Sequence, residues 1–390
     1  MSMRVVVLGA GIVGAACARE LARAGLAVTV LDRGGPAAAT TAHGEGNVLV
    51  SDKGPGPELE LARMSRRLWE EALAEAGGRP DADRVEWDPK GGIVVATTDA
   101  GARGLAEFAA GQRAAGVTVE TLDAPGLAAA EPQVTRDFAL AVHYPGDAQV
   151  QPVGAAAFLL GDALRAGAGL RTGVEVLGAV TRGGRITAVR TSAGTVEGDV
   201  FVNAAGPWSG AVAARLGAPV DVRPRRGEVL VTTPQPPTVF HKVYDADYVG
   251  AVGSGAEELQ ASAVVESTRA GTILLGSSRR RVGFDDRIRP EVLSVIAGKA
   301  LRLFPCLAGV PVMRAYGGFR PYVPDHLPVI GPDPRLPGLW HATGHEGAGI
   351  GLSVGTGRVL GDLLLGREPE IDAGPFRVDR PAVLFEGDDQ

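Results

Sequence analysis

The chain has 390 residues, 45% of them apolar and 22% charged, which suits a globular protein with a large core spread over two or three domains. Its 45 acidic and 39 basic residues leave a net charge of −6, against the basic face that nucleic-acid binding needs. Two distant cysteines, Cys17 and Cys306, form no C-x-x-C pair. That fits a reducing compartment and argues against a metal or iron–sulfur site of the chain's own.

Glycine is abundant. The 56 glycines make up about 14% of the chain, twice the usual share of about 7%. A pattern fixing three glycines therefore arises about once by chance in such a chain, and only its context gives it meaning. The sequence runs from Met1–Met3 directly into an apolar run. No cleavable leader and no spanning helix are expected, so the expected location is cytoplasmic, with peripheral membrane association still compatible.

Residues 3–32 read as a complete βαβ unit. Val5–Leu8 is a buried strand, and Gly9-x-Gly11-x-x-Gly14 is a tight turn. Ile12, Ala16, Leu21 and Ala24 line one face of a helix that stops at Gly25, and Ala27–Leu31 is a second buried strand ending at Asp32. This is the context a dinucleotide fingerprint requires. The glycines permit the turn, the approach of a pyrophosphate and close helix packing, and the acidic residue suits ribose hydroxyls. The fingerprint alone leaves FAD and NAD open.

Residues 35–58 read as a loop and 58–76 as a helix. A strand over 92–97, a helix over 102–115 and a strand over 117–122 follow, then a helix over 153–166. Strands at 174–180 and 185–191 turn at Gly183-Gly184. Val200–Val202 is a buried strand. From Arg223 the character changes to strands at 228–233, 261–266 and 272–277, closed by a helix at 291–303. A glycine-rich loop from Gly344 enters a helix ending near Leu365, and an irregular tail follows Ile371.

Three later segments carry a resemblance. They are Val202-Asn-Ala-Ala-Gly-Pro-Trp-Ser209; Gly317-Gly-Phe-Arg-Pro321 with Asp325-His-Leu-Pro-Val-Ile-Gly331; and Gly344-His-Glu-Gly-Ala-Gly-Ile-Gly351 with Gly355-Thr-Gly357. In this order and spacing, the chain resembles the D-amino-acid oxidase/glycine oxidase-like (DAO) family of FAD-dependent oxidoreductases across roughly residues 3–366. The Gly344-His-Glu-Gly stretch is most similar to flavin subunits of D-amino acid, hydroxyproline or opine dehydrogenases.

The resemblance implies an α/β fold, α+β overall. A discontinuous Rossmann-like FAD-binding domain would span 1–87, 143–222 and 312–372. A smaller substrate domain with an antiparallel sheet would span 88–142 and 223–311, and 373–390 would form a C-terminal tail. FAD would be bound non-covalently, since Gly318 occupies the place where some relatives carry a flavin-linked cysteine. Cofactor contacts would come from Gly9, Gly11, Ile12, Val13, Gly14, Asp32, Arg33, Thr40, Thr41, His43, Gly46, Asn47, Ala205, Gly206, Trp208, Gly347, Ala348, Gly349, Ile350 and Gly351. Six glycines fall within the 14 positions 344–357. They put a second glycine-rich helix start at the flavin ring, opposite the pyrophosphate turn.

The implied reaction oxidises the C–N bond of a D-amino acid, a proline-type amine or a related secondary amine. Hydride would pass to the flavin and leave an imine. Arg320 would grip the substrate carboxylate in its guanidinium fork, and Tyr244 and Tyr248 would cover the substrate. Glu346 and His345 stand where some relatives carry a second arginine, and a cationic or N-substituted amine would suit Glu346. The electron acceptor would be oxygen, a quinone or an iron–sulfur partner subunit, and an oligomer is compatible. No metal site is expected from the three imidazoles of His326, His341 and His345. The alternatives are an FAD-dependent 2-hydroxy acid dehydrogenase and a flavin subunit inactive without its partner.

Overall fold

In the computed structural model, residues 2–384 are described, with 249, 251 and 252 described in backbone only. The βαβ unit forms as read, with strands Arg4–Leu8 and Ala27–Leu31 around the helix Ile12–Arg23. They belong to a six-stranded sheet. Its order is Val329–Pro332, Leu339–Thr343, Val200–Asn203, Arg4–Leu8, Ala27–Leu31 and Gly169–Arg171. All its pairings are parallel except that of Val329–Pro332 with Leu339–Thr343.

Side chains alternate across a strand, and the first strand shows why both faces must be covered. Val5 and Val7 join a core with Leu21, Trp69, Phe158 and Leu360, all from helices. Val6 and Leu8 face the opposite way, into a cluster with Ile186, Val189 and Phe201. Ile186 and Val189 come from a three-stranded antiparallel sheet, Val176–Arg182, Arg185–Thr191 and Gly194–Glu197. Its hairpin turns at Gly183 and Gly184, both with positive φ, as the pair of glycines predicted.

A second, eight-stranded sheet runs in the order Val312–Tyr322, Arg223–Thr232, Ile273–Arg279, Gln260–Ser267, Lys242–Asp245, Gly92–Ala96, Leu140–Tyr144 and Glu120–Leu122. It is antiparallel except where Lys242–Asp245 meets Gly92–Ala96. Ile93, Val243, Val265 and Leu275 pack under the helix Pro290–Leu303. The alternate residues Val94, Tyr244 and Val264 join the core of the dinucleotide unit, so this sheet forms a wall against it.

Two of these strands, Leu140–Tyr144 and Lys242–Asp245, were not foreseen. Val312–Tyr322, which the sequence reading grouped with the FAD-binding segments, pairs over its whole length with Arg223–Thr232. It thus hydrogen-bonds into the second sheet and carries Arg320 there. The irregular segment after Ile371 packs Val378 and Val383 against Val220 and Val329; residues 385–390 of the expected tail lie outside the described residues. No helix among the described residues is long and apolar enough to cross a membrane.

Candidate active site

One long cleft lies between the two sheets, and glycine backbone lines it at Gly9, Gly11, Gly34, Gly206, Gly347 and Gly349. At its near end the turn is packed as tightly as the motif demands. Gly9 has φ +118°, and a Cβ there would lie 2.5 Å from the Ala204 carbonyl oxygen; one on Gly14 would lie 2.0 Å from the Gly9 carbonyl oxygen. Gly9, Gly11, Ile12, Val13, Asp32, Arg33, Ala205, Gly206 and Trp208 line this end, whereas Gly14 stands behind it. Its glycine serves helix packing and gives no surface to a ligand.

Asp32 accepts backbone N–H bonds from Ala10 and Gly34, both at 2.7 Å, so it holds the turn as well as facing the cleft. Thr41 Oγ1 accepts from the Ile12 amide at 3.1 Å. The Arg33 guanidinium lies 4.3 Å over the Trp208 ring, and Trp208 stacks on Phe284.

The middle of the cleft is lined by Thr40, Thr41, His43, Gly46 and Asn47. Thr40 Oγ1 donates to the Phe319 carbonyl at 2.7 Å, and His43 Nδ1 lies 2.7 Å from the Ala39 carbonyl oxygen. A Cβ on Gly318 would sit 2.7 Å from His43 Cβ, so no larger residue fits there unless His43 shifts. Asn47 Oδ1 accepts from Lys242, which is itself buried and paired with Glu266 at 2.8 Å.

At the far end Gly347, Gly349 and Ile350 line the cleft, and Ala348 and Gly351 do not. A Cβ on Gly351 would meet the Asn47 carbonyl at 3.0 Å, so this glycine, like Gly14, serves packing. The helix Gly349–Leu364 begins here with no acidic residue in its first turn, and its positive end favours negative charge in the cleft.

Arg320 is half-buried and lines the cleft beside Gly347. Its hydrogen bond is from Nη1 to the Ser278 carbonyl at 2.8 Å, and among the described residues no carboxylate pairs with it. Burial first, then the neighbouring Arg279, pull its pKa down to about 10. A Cβ on Gly227 would fall 2.1 Å from Arg320 Nη1, so the glycine makes room for the guanidinium.

The expected tyrosines separate. Tyr248 lines the cleft. Tyr244 does not: it is fully buried, and its hydroxyl bonds to Ser51, which bonds in turn to the buried Asp147. Its ring lies 5.0 Å from that of Tyr248, so it supports Tyr248 from behind and does not cover a substrate. Successive residues of one strand point to opposite sides, but Tyr244 and Tyr248 are four apart on different elements, and sequence gave no way to separate them.

Glu346 is also corrected. Its Oε2 accepts from Arg225 Nη1 at 3.0 Å, and its Oε1 lies 2.6 Å from His326 Nδ1. With both oxygens engaged, it is not free for a cationic substrate. His345 lines the cleft but is buried, with Nε2 2.8 Å from Thr356 Oγ1. Burial pushes its pKa down to about 3, so it is neutral at ordinary pH and cannot act as a cation. His341 is buried beside Asp333 at 3.2 Å. Among the described residues no cluster of three metal-ligating side chains exists.

Two charged residues at this end escaped the sequence reading. Glu45 lies within the Thr40–Asn47 stretch, buried, with Oε1 unpartnered. Arg279 is buried with its guanidinium 4.7 Å over the Tyr248 ring. Nothing local in sequence marks a glutamate in a glycine loop, or the first arginine of Arg279-Arg280-Arg281, as buried. Only the register of the strand Ile273–Arg279 reveals which arginine turns inward.

A family model described as FAD dependent oxidoreductase matches residues 4–363. The chain belongs to this DAO family. It is 32% identical to a glycine oxidase of Pseudomonas aeruginosa over 382 residues, covering 96% of this chain and 98% of that one. It is also 32% identical to a D-amino acid dehydrogenase of Cereibacter sphaeroides, with 98% and 96% covered. The crystal structure of glycine oxidase from Geobacillus kaustophilus superposes with a TM-score of 0.85 at 27% identity, covering 97% of this chain and 99% of that one. FAD is the family's cofactor, and the cleft's chemistry fits it. The bare glycine backbone at both ends, the Asp32 carboxylate and the positive helix end suit a long, flat, doubly charged dinucleotide.

Proposed function

We propose that the chain oxidises the C–N bond of an amino acid or secondary amine. The observation that carries this reading is Arg320, a guanidinium at the cleft with a single carbonyl partner and no carboxylate among the described residues. A charge left without a counter-ion in a partly buried place calls for one from the substrate. A substrate carboxylate supplies it, and the planar fork fixes the orientation as well as the charge. The names of the relatives, glycine oxidase and D-amino acid dehydrogenase, support an amino acid.

When bound, FAD supplies the hydride acceptor, and the product is an imine. The chain's own residues do the rest. Arg320 holds the carboxylate so that the neighbouring C–H faces the flavin end of the cleft. Tyr248 walls the substrate from water. The start of the helix Gly349–Leu364 places its positive end where negative charge develops. Gly9–Val13 and Asp32 would hold the pyrophosphate and ribose, and Thr40–Asn47 with Gly347–Ile350 would hold the ring.

FAD is held without a covalent link in this reading, because Gly318, packed against His43, offers no thiol. Acid precipitation should release the yellow cofactor into the supernatant. The primary test is anaerobic bleaching of the absorbance expected at about 450 nm across D-, L- and N-alkyl amino acids and 2-hydroxy acids. Bleaching by amines supports the proposal, and bleaching by hydroxy acids alone would sink it. The rate of re-oxidation by air then tells oxygen from a quinone or protein acceptor.

A further inference from the structure

Among the described residues four that are not glycine carry a positive φ. Two of these, His326 at +59° and Glu346 at +44°, are bonded to each other. Glu346 lines the cleft, next in the chain to Gly347, where a Cβ would lie 3.4 Å from Arg320 Nε. His326 stands behind it, outside the cleft wall, and keeps 24% of its side-chain surface exposed. Glu346 Oε1 and His326 Nδ1, 2.6 Å apart, thus connect the substrate end of the cleft to solvent. Neither loop needs this contact to be held. Arg225 already grips Glu346 Oε2. Arg380 already fixes the loop of His326, through Asp325 and the carbonyls of Leu327 and Pro328. Two side chains brought together from an unfavourable backbone conformation, on loops anchored by other residues, point to a task beyond anchoring.

Oxidising an amino acid sheds a proton inside the cleft. The substrate ammonium must first lose H+. The carbon beside the neutral amine then gives hydride to bound FAD, and an iminium is left. We propose that Glu346 and His326 carry that proton out of the cleft. It passes from the substrate nitrogen to the Glu346 carboxylate, from Oε1 to His326 Nδ1, and from Nε2 to water. A turn of the part-exposed ring then brings Nδ1 to water, where exchange restores the Nε2–H tautomer for the next proton. Glu346 is not free as a counter-ion, but a proton needs only a lone pair. Each carboxylate oxygen keeps one beyond the bond it already accepts. Other charges surround the pair. Tyr322, whose ring meets that of His326 edge-on at 5.4 Å, is flanked by Arg225 and Arg281. Glu58, at the start of the helix Pro57–Glu75, feels Lys53, Asp52, Glu346 and His326, and burial raises its carboxyl to about 7. It titrates in the range of interest and needs its own control. This inference rests on the amine-oxidation reading and adds its proton path.

The test follows anaerobic flavin reduction in the FAD-loaded enzyme, with whichever amine bleaches the native protein. His326→Gly removes the imidazole and suits the backbone, since glycine takes φ +59° freely. His326→Asn, which also tolerates that conformation, is the second variant. Both should retain FAD and bind unreactive propionate with the native Kd, read from the flavin spectrum. Their limiting rate of reduction at neutral pH should fall at least about tenfold. Added imidazole should restore the rate of His326→Gly. The defect should also shrink as pH rises towards the ammonium's own pKa, where no proton has to be carried. Rescue and pH trend should both persist in a Glu58→Gln background. Reduction at the native rate by His326→Gly overturns the relay. So does loss of FAD from both variants, or a defect that imidazole does not rescue and that is equal at every pH, because the contact is then a structural pin. A pH trend abolished by Glu58→Gln moves the role to Glu58 and overturns the assignment to His326. All of these leave amine oxidation standing, whereas a native flavin bleached by no amine removes the reading beneath the relay.

Discussion

Arg225 and Glu346 form an ion pair at 3.0 Å across 121 residues, joining the second sheet to the loop ahead of the last helix. The Arg225 side chain is fully buried, and its Nη2 also donates to the Ser254 carbonyl at 2.6 Å and to Gln260 at 3.2 Å. One guanidinium therefore ties the segment that follows Tyr248 to the cofactor loop. Glu346→Gln leaves that cation buried without its carboxylate. Breaking one side of a buried pair costs about 3–5 kcal/mol, and a loss of roughly 3 kcal/mol is expected in urea unfolding of the variant. A change below about 1 kcal/mol would mean that the pair behaves as a solvated surface contact.

Gly227 gives a way to move Arg320 without removing it. A methyl group at 227 would overlap the Arg320 guanidinium at 2.1 Å, and the far end of a long side chain can swing aside. Gly227→Ala is therefore expected to fold with near-native stability, within about 1 kcal/mol, and to retain FAD. Its kcat/KM should fall at least tenfold. A fully active Gly227→Ala enzyme would show that Arg320's position is unimportant.

Arg320→Met tests the charge itself. A charge-assisted hydrogen bond contributes about 1.5–3 kcal/mol, so kcat/KM should fall by about 10- to 100-fold. Binding of simple carboxylates, read from the flavin spectrum, should weaken in parallel. Turnover unchanged by Arg320→Met would refute the carboxylate anchor and the amine reading built on it.

The parts that sequence revealed are those dictated by local backbone physics. Gly9 and Gly14 are glycines because a Cβ would strike a carbonyl oxygen, and the short apolar runs Val5–Leu8 and Ala27–Leu31 made the first two strands plain. The hairpin at Gly183-Gly184 needed only positive φ. What stayed hidden depends on contacts between distant segments. Lys242 is one of only four lysines, yet nothing local predicts that it is buried against Glu266 and Asn47. The strand that carries it is four residues long and pairs in parallel with Gly92–Ala96, some 150 positions earlier. Glu346 looked free because Arg225 and His326, its two partners, lie elsewhere in the chain. Two tyrosines on neighbouring elements divided into cleft wall and buried support only once Ser51 and Asp147 were seen behind Tyr244.

His345 makes stability depend on pH in a defined direction. Burial lowers its pKa to about 3, below the value of about 6.5 in an unfolded chain. Between those values the unfolded chain binds a proton that the folded one refuses. The contribution to stability is therefore whole above about pH 6.5 and is lost as pH falls towards 3. Each unit in that window is worth about 1.4 kcal/mol, so roughly 2–3 kcal/mol should be gone by pH 4.5. His345→Gln can still hydrogen-bond Thr356 but does not titrate. The expected result is a shallower decline in urea-unfolding free energy from pH 6.5 to 4.5 in the variant than in the native enzyme, whatever the offset between them at pH 8. Parallel curves over that range would mean that His345 is protonated in the folded protein and that the far end of the cleft is wetter than its burial indicates.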